Sequence, residues 1–75
     1  MKNTYTVGQR WTFKRNHIAE RVVYGEGATV VGVSIGVDQP HPGFIFHTLI
    51  DLDTDAGVQL RGWSPSRLRA SLKRA

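Results

Sequence analysis

The segment Ala28-Thr29-Val30-Val31-Gly32-Val33-Ser34-Ile35-Gly36-Val37 decides the fold class of this chain. It is the longest run of β-branched residues in the sequence, and no charge interrupts it. With a period of two, Thr29, Val31, Val33, Ile35 and Val37 form a nearly continuous apolar face, while Ala28, Val30, Gly32, Ser34 and Gly36 form a flat one. β-branched side chains fit the pleated, half-buried surface of a strand, so the segment predicts a strand. Glycine inside a strand costs stability and marks a bulge, a bend or the close approach of another backbone. One bulky face and one flat face suit a small, strongly curved barrel.

The flanking sequence extends this pattern. Residues 7–14 alternate, with Val7, Gln9, Trp11 and Phe13 on one face, and predict a strand anchored by Trp11 and Phe13. Arg15-Asn16-His17 reads as a loop, residues 19–24 as a second strand, and Gly25-Glu26-Gly27 as a tight turn into strand 28–37. The prolines and glycine of Asp38-Gln39-Pro40-His41-Pro42-Gly43 break the ladder. Residues 44–52 predict a fourth strand, apolar on both faces and therefore covered on both. After the turn at Asp53-Thr54-Asp55-Ala56-Gly57, residues 58–63 predict a fifth strand with Val58 and Leu60 inward and Trp63 on the other side. The period then changes. Ser64 suits a helix N-cap, Pro65 the first helical position, and Leu68 and Leu72 recur at four, which predicts a helix over 65–73. Together these elements predict an all-β single domain over residues 1–75: a small five-stranded antiparallel SH3-like or OB-like barrel with a short C-terminal helix.

Size and charge limit what such a domain does. At 75 residues the chain lies near the lower limit for an unassisted core, and it has no cysteine to staple it. Burial at about 25 cal/mol per Å² against roughly 1.5 kcal/mol of ordering entropy per residue nets close to zero at this size, so a homo-oligomer is expected. The N-terminal residues carry no apolar signal region, and no apolar run reaches the roughly 18 residues of a membrane span, which predicts a cytoplasmic chain without a membrane partner. The net charge is +4, and it is unevenly placed. Arg61, Arg67, Arg69, Lys73 and Arg74 fall in the last fifteen residues, whereas Asp38, Asp51, Asp53 and Asp55 fall in the middle. That asymmetry is a footprint for an anionic partner or a solubility device.

Two resemblances follow. Gly8-Gln9-Arg10-Trp11-Thr12-Phe13-Lys14, with the later Ser64-Pro65-Ser66-Arg67-Leu68-Arg69-Ala70-Ser71-Leu72, resembles a loose group of small bacterial SH3-like barrel proteins of uncharacterised function. Val58-Gln59-Leu60-Arg61 is similar over three positions to the Val-Gln-Ile-Tyr pore motif of the plasmid-borne type II dihydrofolate reductases, short SH3-like chains that work as tetramers around a central pore. Arg61 stands where that family has tyrosine. This second resemblance implies an oligomeric enzyme with its site at a symmetry axis, lined by Gln59 and His47.

Most other chemistry is excluded by spacing. Asp51-x-Asp53-x-Asp55 matches the first half of a calcium loop, but Ala56 and Gly62 occupy the positions that need glycine and a bidentate glutamate. His17, His41 and His47 match no zinc signature, and Gly25-x-Gly27-x-x-x-x-Gly32 misses the dinucleotide fingerprint. Neither a metal, a cofactor nor a catalytic residue is expected. The helix start offers Ser64, Ser66 and Arg67 for a phosphate or carboxylate, and an arginine in a first turn is disfavoured unless an anion is near. Trp63 either stacks on a base or staples the helix to the barrel.

Three function classes remain. The first is a non-enzymatic basic module binding nucleic acid or another polyanion through Arg61, Trp63, Ser64, Ser66, Arg67, Arg69, Lys73 and Arg74. The second is a self-associating or protein-binding module using Gly32, Ser34, Gly36, Phe44 and Phe46. The third is the oligomeric enzyme, with His47 and Gln59 as pore or ligand residues.

Overall fold

The structure is a computed structural model of the full chain that describes residues 5–38 and 45–75, without the side chains of residues 37–38 and 45–47. The loop at 39–43, with His41, and Phe44 lie outside the described residues. Strands β1 (Arg10–Phe13), β2 (Gly27–Asp38), β3 (Ile45–Thr54), β4 (Gln59–Trp63) and β5 (Leu72–Arg74) form one antiparallel sheet in the order β4-β3-β2-β1-β5. Helix α1 spans Ile18–Tyr24 and helix α2 spans Pro65–Ser71. Strands β4 and β5 are the two outer strands. The fold is mostly β with a short C-terminal helix, as the alternation predicts.

Two elements differ from expectation. Residues 19–24 are helical, not a strand: the Arg21 N–H donates to the His17 carbonyl at 3.1 Å and the Gly25 N–H to the Arg21 carbonyl at 3.0 Å. The alternation there is real, but a strand needs a ladder, and both edges of β1 are occupied, one by β2 and the other by β5. Ala19, Glu20 and Arg21 favour a helix once that pairing is lost. Gly25-Glu26-Gly27 is accordingly a helix-to-strand link. Gly25 closes α1 at φ +86°, where a side chain would also press on Asp55. Only Tyr24 of α1 stacks inward, with its ring 5.6 Å from Phe13.

The second difference is at the C-terminus. α2 stops at Ser71, and Leu72 turns extended (φ −127°, ψ 162°) so that Trp11, Thr12 and Phe13 pair with Arg74, Lys73 and Leu72. The fifth strand is therefore β5, and Leu72 reaches the core from a strand. Its spacing of four from Leu68 suits either geometry. The N-terminal end of α2 is as predicted: the Ser64 side chain accepts from the Arg67 N–H at 3.2 Å, with Pro65 in the first turn.

Two bulges decide which residues face the core. In β2, Val30 pairs with Leu52 but Gly32 with Asp51, so Val31 is an extra residue. Before it Ala28 and Val30 face inward; after it Val33 and Ile35 take that side, opposite Ile50 and Thr48. In β4, Leu60 pairs with Leu52 and Trp63 with Ile50, leaving Arg61 and Gly62 as the irregularity, with Gly62 at φ +69°. Trp63 thus joins Leu60 on the core side, which corrects the reading that a regular strand would turn it away. Val58 precedes β4 and is 38% exposed, so it is not an inward anchor.

The core is Trp11, Phe13, Ala28, Val30, Ile50, Leu52, Leu60, Trp63, Leu68 and Leu72. Trp11 and Phe13 are the anchors the alternation predicts. Gly27 fits under β1 because any β-carbon there would lie 2.2 Å from the Trp11 carbonyl oxygen. Thr54, the buried polar residue, closes the β3–β4 turn by donating to the Val58 carbonyl at 2.9 Å and accepting its N–H at 3.0 Å. Val7, read as inward in a strand from residue 7, is 67% exposed and precedes β1. No helix among the described residues is long and apolar enough to cross a membrane.

Candidate basic surface

The last twenty residues hold five of the ten basic side chains and no Asp or Glu. α2 carries Arg67 and Arg69, and β5 carries Lys73 and Arg74 and sets them against β1. Lys14 lies at the same junction, its N–H donating to the Ser71 carbonyl at 2.9 Å.

Three of these cations rest on aromatic rings or their partners. The Arg67 guanidinium lies 4.3 Å from the Trp63 ring centre. Arg74 lies 6.0 Å from the centre of Trp11, whose ring stacks with Tyr5 at 5.9 Å. Arg69 donates to the Tyr5 hydroxyl at 2.6 Å, so the Tyr5–Trp11 pair joins Arg69 to Arg74. A guanidinium held over a ring is restrained while its N–H edge stays open to an anion. Lys14 and Lys73 have no hydrogen-bonding side-chain partner among the described residues.

The carboxylates among the described side chains are already engaged. Asp55 takes Arg10 in a two-pronged pair, Nη1 to Oδ1 at 2.6 Å, and accepts the Gly27 N–H at 3.1 Å. Hydrogen bonds from Arg10 hold the Asp55 carboxyl below its ordinary range, and Arg10 is pushed up in turn. Asp51 accepts the Gly62 N–H at 2.9 Å, and Asp53 pairs with Arg61 at 3.4 Å. Arg21 pairs with Glu26 at 3.1 Å, and Glu20 meets His17 at 3.3 Å. Glu20 sits below its ordinary value, first through a backbone hydrogen bond and then through His17. Of the three aspartates that suggest half a calcium loop, Asp51 and Asp53 hold neighbouring residues of β4, and Asp55 holds β1 and the start of β2. Among the described residues no group of three or more His, Asp or Glu side chains is placed to hold a metal ion.

The predicted site residues separate accordingly. Arg67, Arg69, Lys73 and Arg74 are all exposed; on β5 the two neighbours part, Arg74 on the Trp11 side of the sheet and Lys73 on the Thr12 side. Arg61 is drawn to Asp53 and to the Leu52 carbonyl, so it leaves the group. Trp63 is 7% exposed and lies in the core beneath Arg67, which fits the stapling role and leaves no open ring for a base. The Ser64 hydroxyl is spent on the cap, and Ser66 is exposed within α2. Gln59 is exposed on β4; His47 and Phe46 lie on β3, their side chains outside the described residues, and Phe44 is likewise outside. Sequence reasoning missed Lys14 at this junction, and Tyr5 and the buried Trp11 as the ring pair that Arg69 and Arg74 meet. No local signal marks them, because β5 brings them there and β5 is hidden in a helical pattern.

No family model, curated protein or solved structure matches this chain.

Proposed function

We propose that this chain is a non-enzymatic interaction module whose α2–β5 surface binds nucleic acid through its phosphates. The observation that carries the reading is that Arg67, Arg69, Lys73 and Arg74, with Lys14 at the β1–β5 junction, are cations of α2 and β5 that meet no carboxylate among the described residues, whose acidic side chains are each engaged elsewhere. Each described helix has only seven residues, too short to lie along a groove as a recognition helix, so sequence preference is low and the phosphate term dominates. An SH3-like wrap is the barrel this reading favours. A meander of four strands with the last strand returned to the first, two bulges and a two-turn helix before β5 support it over the Greek-key order of an OB-fold.

Fluorescence anisotropy with labelled duplex and single-stranded oligonucleotides over a range of salt tests this function. With at most five phosphate contacts, the slope of log affinity on log salt is no steeper than about −4.5 on duplex, at about −0.9 per contact. Replacing Arg67 and Arg74 by Gln lowers the slope by about two and weakens all sequences alike. Arg61→Gln changes it by less than about one, since Asp53 already pairs with that charge. Absence of binding at low salt defeats the reading.

A protein-binding module is the second reading, favoured by apolar side chains left outside the core. Ile18 and Val22 are 69% and 79% exposed on α1 and flank a shallow cavity of about 260 Å³ with Arg21 and Glu26. Monomeric soluble domains rarely expose contiguous apolar patches without use.

A further inference from the structure

β2 is far longer than the strand that covers it. β1 pairs with Gly27, Ala28 and Thr29, and Gly8 and Gln9 reach Val30 through two more backbone bonds. From Gly32 to Asp38, β2 pairs only with β3, and its other edge has no strand on it among the described residues. On the core-side face of this projecting hairpin, Val33 is 40% exposed and Ile35 is 72% exposed. A two-stranded hairpin with an open apolar face is marginal in water, and a neutral, unbroken edge is a template for another strand.

The sequence of that edge says which strand fits. Val31-Gly32-Val33-Ser34-Ile35-Gly36-Val37 reads nearly the same in both directions about Ser34. Antiparallel pairing of two copies around a two-fold axis at Ser34 sets Val33 opposite Ile35, Gly32 opposite Gly36 and Ser34 opposite Ser34, with no charge in the run. Cross-strand β-branched pairs stabilise a sheet, and an isologous contact requires this self-complementarity. On the flat face the β3 side chains lean over the glycines: a β-carbon at Gly36 would lie 2.7 Å from Leu49, and one at Gly32 would lie 3.1 Å from Asp51.

We propose that the free edge of β2 docks a second copy of this chain, antiparallel and centred on Ser34, joining two sheets into one. The contact is the strand edge and the Val33/Ile35 strip, which moves the expected interface off the Gly32/Ser34/Gly36 face. It is independent of the basic surface.

Sedimentation equilibrium of the full chain, from low micromolar to several hundred micromolar, reads the dimer directly. Ile35→Lys weakens it by roughly tenfold or more, because symmetry repeats the change twice. The exposure of Ile35 leaves the monomer's circular dichroism and melting unchanged. The chain has no cysteine, so Ser34→Cys carries a single thiol. Antiparallel partners lie about 4.5–5.5 Å apart at Cα, within disulfide reach, and mild oxidation should link Ser34→Cys chains far faster than chains carrying Ala70→Cys on α2. A monomer at every concentration overturns the proposal, as do equal cross-linking rates for the two thiols or assembly that runs on beyond the dimer.

Discussion

Replacing Asp55 by Ala tests whether the middle acid cluster is a structural clasp. Asp55 is the point where β1, the start of β2 and the β3–β4 turn meet. Its carboxylate holds Arg10 and accepts the Gly27 N–H, and its own N–H donates to the Gly27 carbonyl at 2.9 Å. The ion pair is substantially exposed, its side chains 41% and 36% accessible, so screening limits it to about 0.5–1 kcal/mol even in two-pronged geometry. The part-buried Gly27 N–H then loses its acceptor, worth about 1 kcal/mol. The sum, about 1–2 kcal/mol, corresponds to a fall in Tm of roughly 5–15 °C for a domain of this size. Asp55→Asn keeps an oxygen for Gly27 and should lose less than about 1 kcal/mol. The acidity of the group adds a second readout. Because Arg10 holds the folded carboxyl below its ordinary value, the stabilisation is complete above the unfolded value near 3.9 and disappears as pH falls through the lower folded value. The gap in Tm between the native chain and Asp55→Ala should therefore be constant from neutrality to about pH 5 and narrow below about pH 4. Thermal melts followed by circular dichroism across that range measure it. A variant melting within about 2 °C of the native chain at neutral pH, or a gap undiminished in acid, refutes the clasp.

Neighbouring valines test the β2 bulge: Val30→Ala empties a fully buried site and should cost about 2 kcal/mol, whereas Val31→Ala, 40% exposed, should cost less than about 1 kcal/mol in urea unfolding. Gly62→Ala should cost about 1–2 kcal/mol, from its φ of +69° alone, since nothing lies within 4 Å of the added methyl. Ser64→Ala removes the cap on Arg67 and should cost about 0.5–2 kcal/mol, measured by the same unfolding curves. Arg67→Ala uncovers the Trp63 ring and should shift tryptophan emission to the red, an effect that Arg61→Ala, paired with Asp53, does not share.

The sequence by itself determined the residues that had only one physical option. The β-branched run at 28–37, the Trp11/Phe13 alternation and the Ser64-Pro65 helix start each have one stable local conformation, so their element types were legible. The unevenness of charge was legible too, since it needs no coordinates. Tertiary structure decided whatever depended on a partner. Residues 19–24 alternate as a strand would, yet β1 has two edges and both were taken, so the segment became a helix. Leu68 and Leu72 suit one helical stripe, yet Leu72 was needed at the edge of β1. A bulge is a property of two strands in register, not of either alone. Val31 and Gly62 therefore reversed the facing of Val33, Ile35 and Trp63 in a way that period-two counting cannot foresee. The basic surface followed the same rule: its cations were countable in the sequence. Only pairing showed that Asp53 takes up Arg61, and only the return of β5 to β1 set Arg74 against the Trp11 ring and Ser71 beside Lys14.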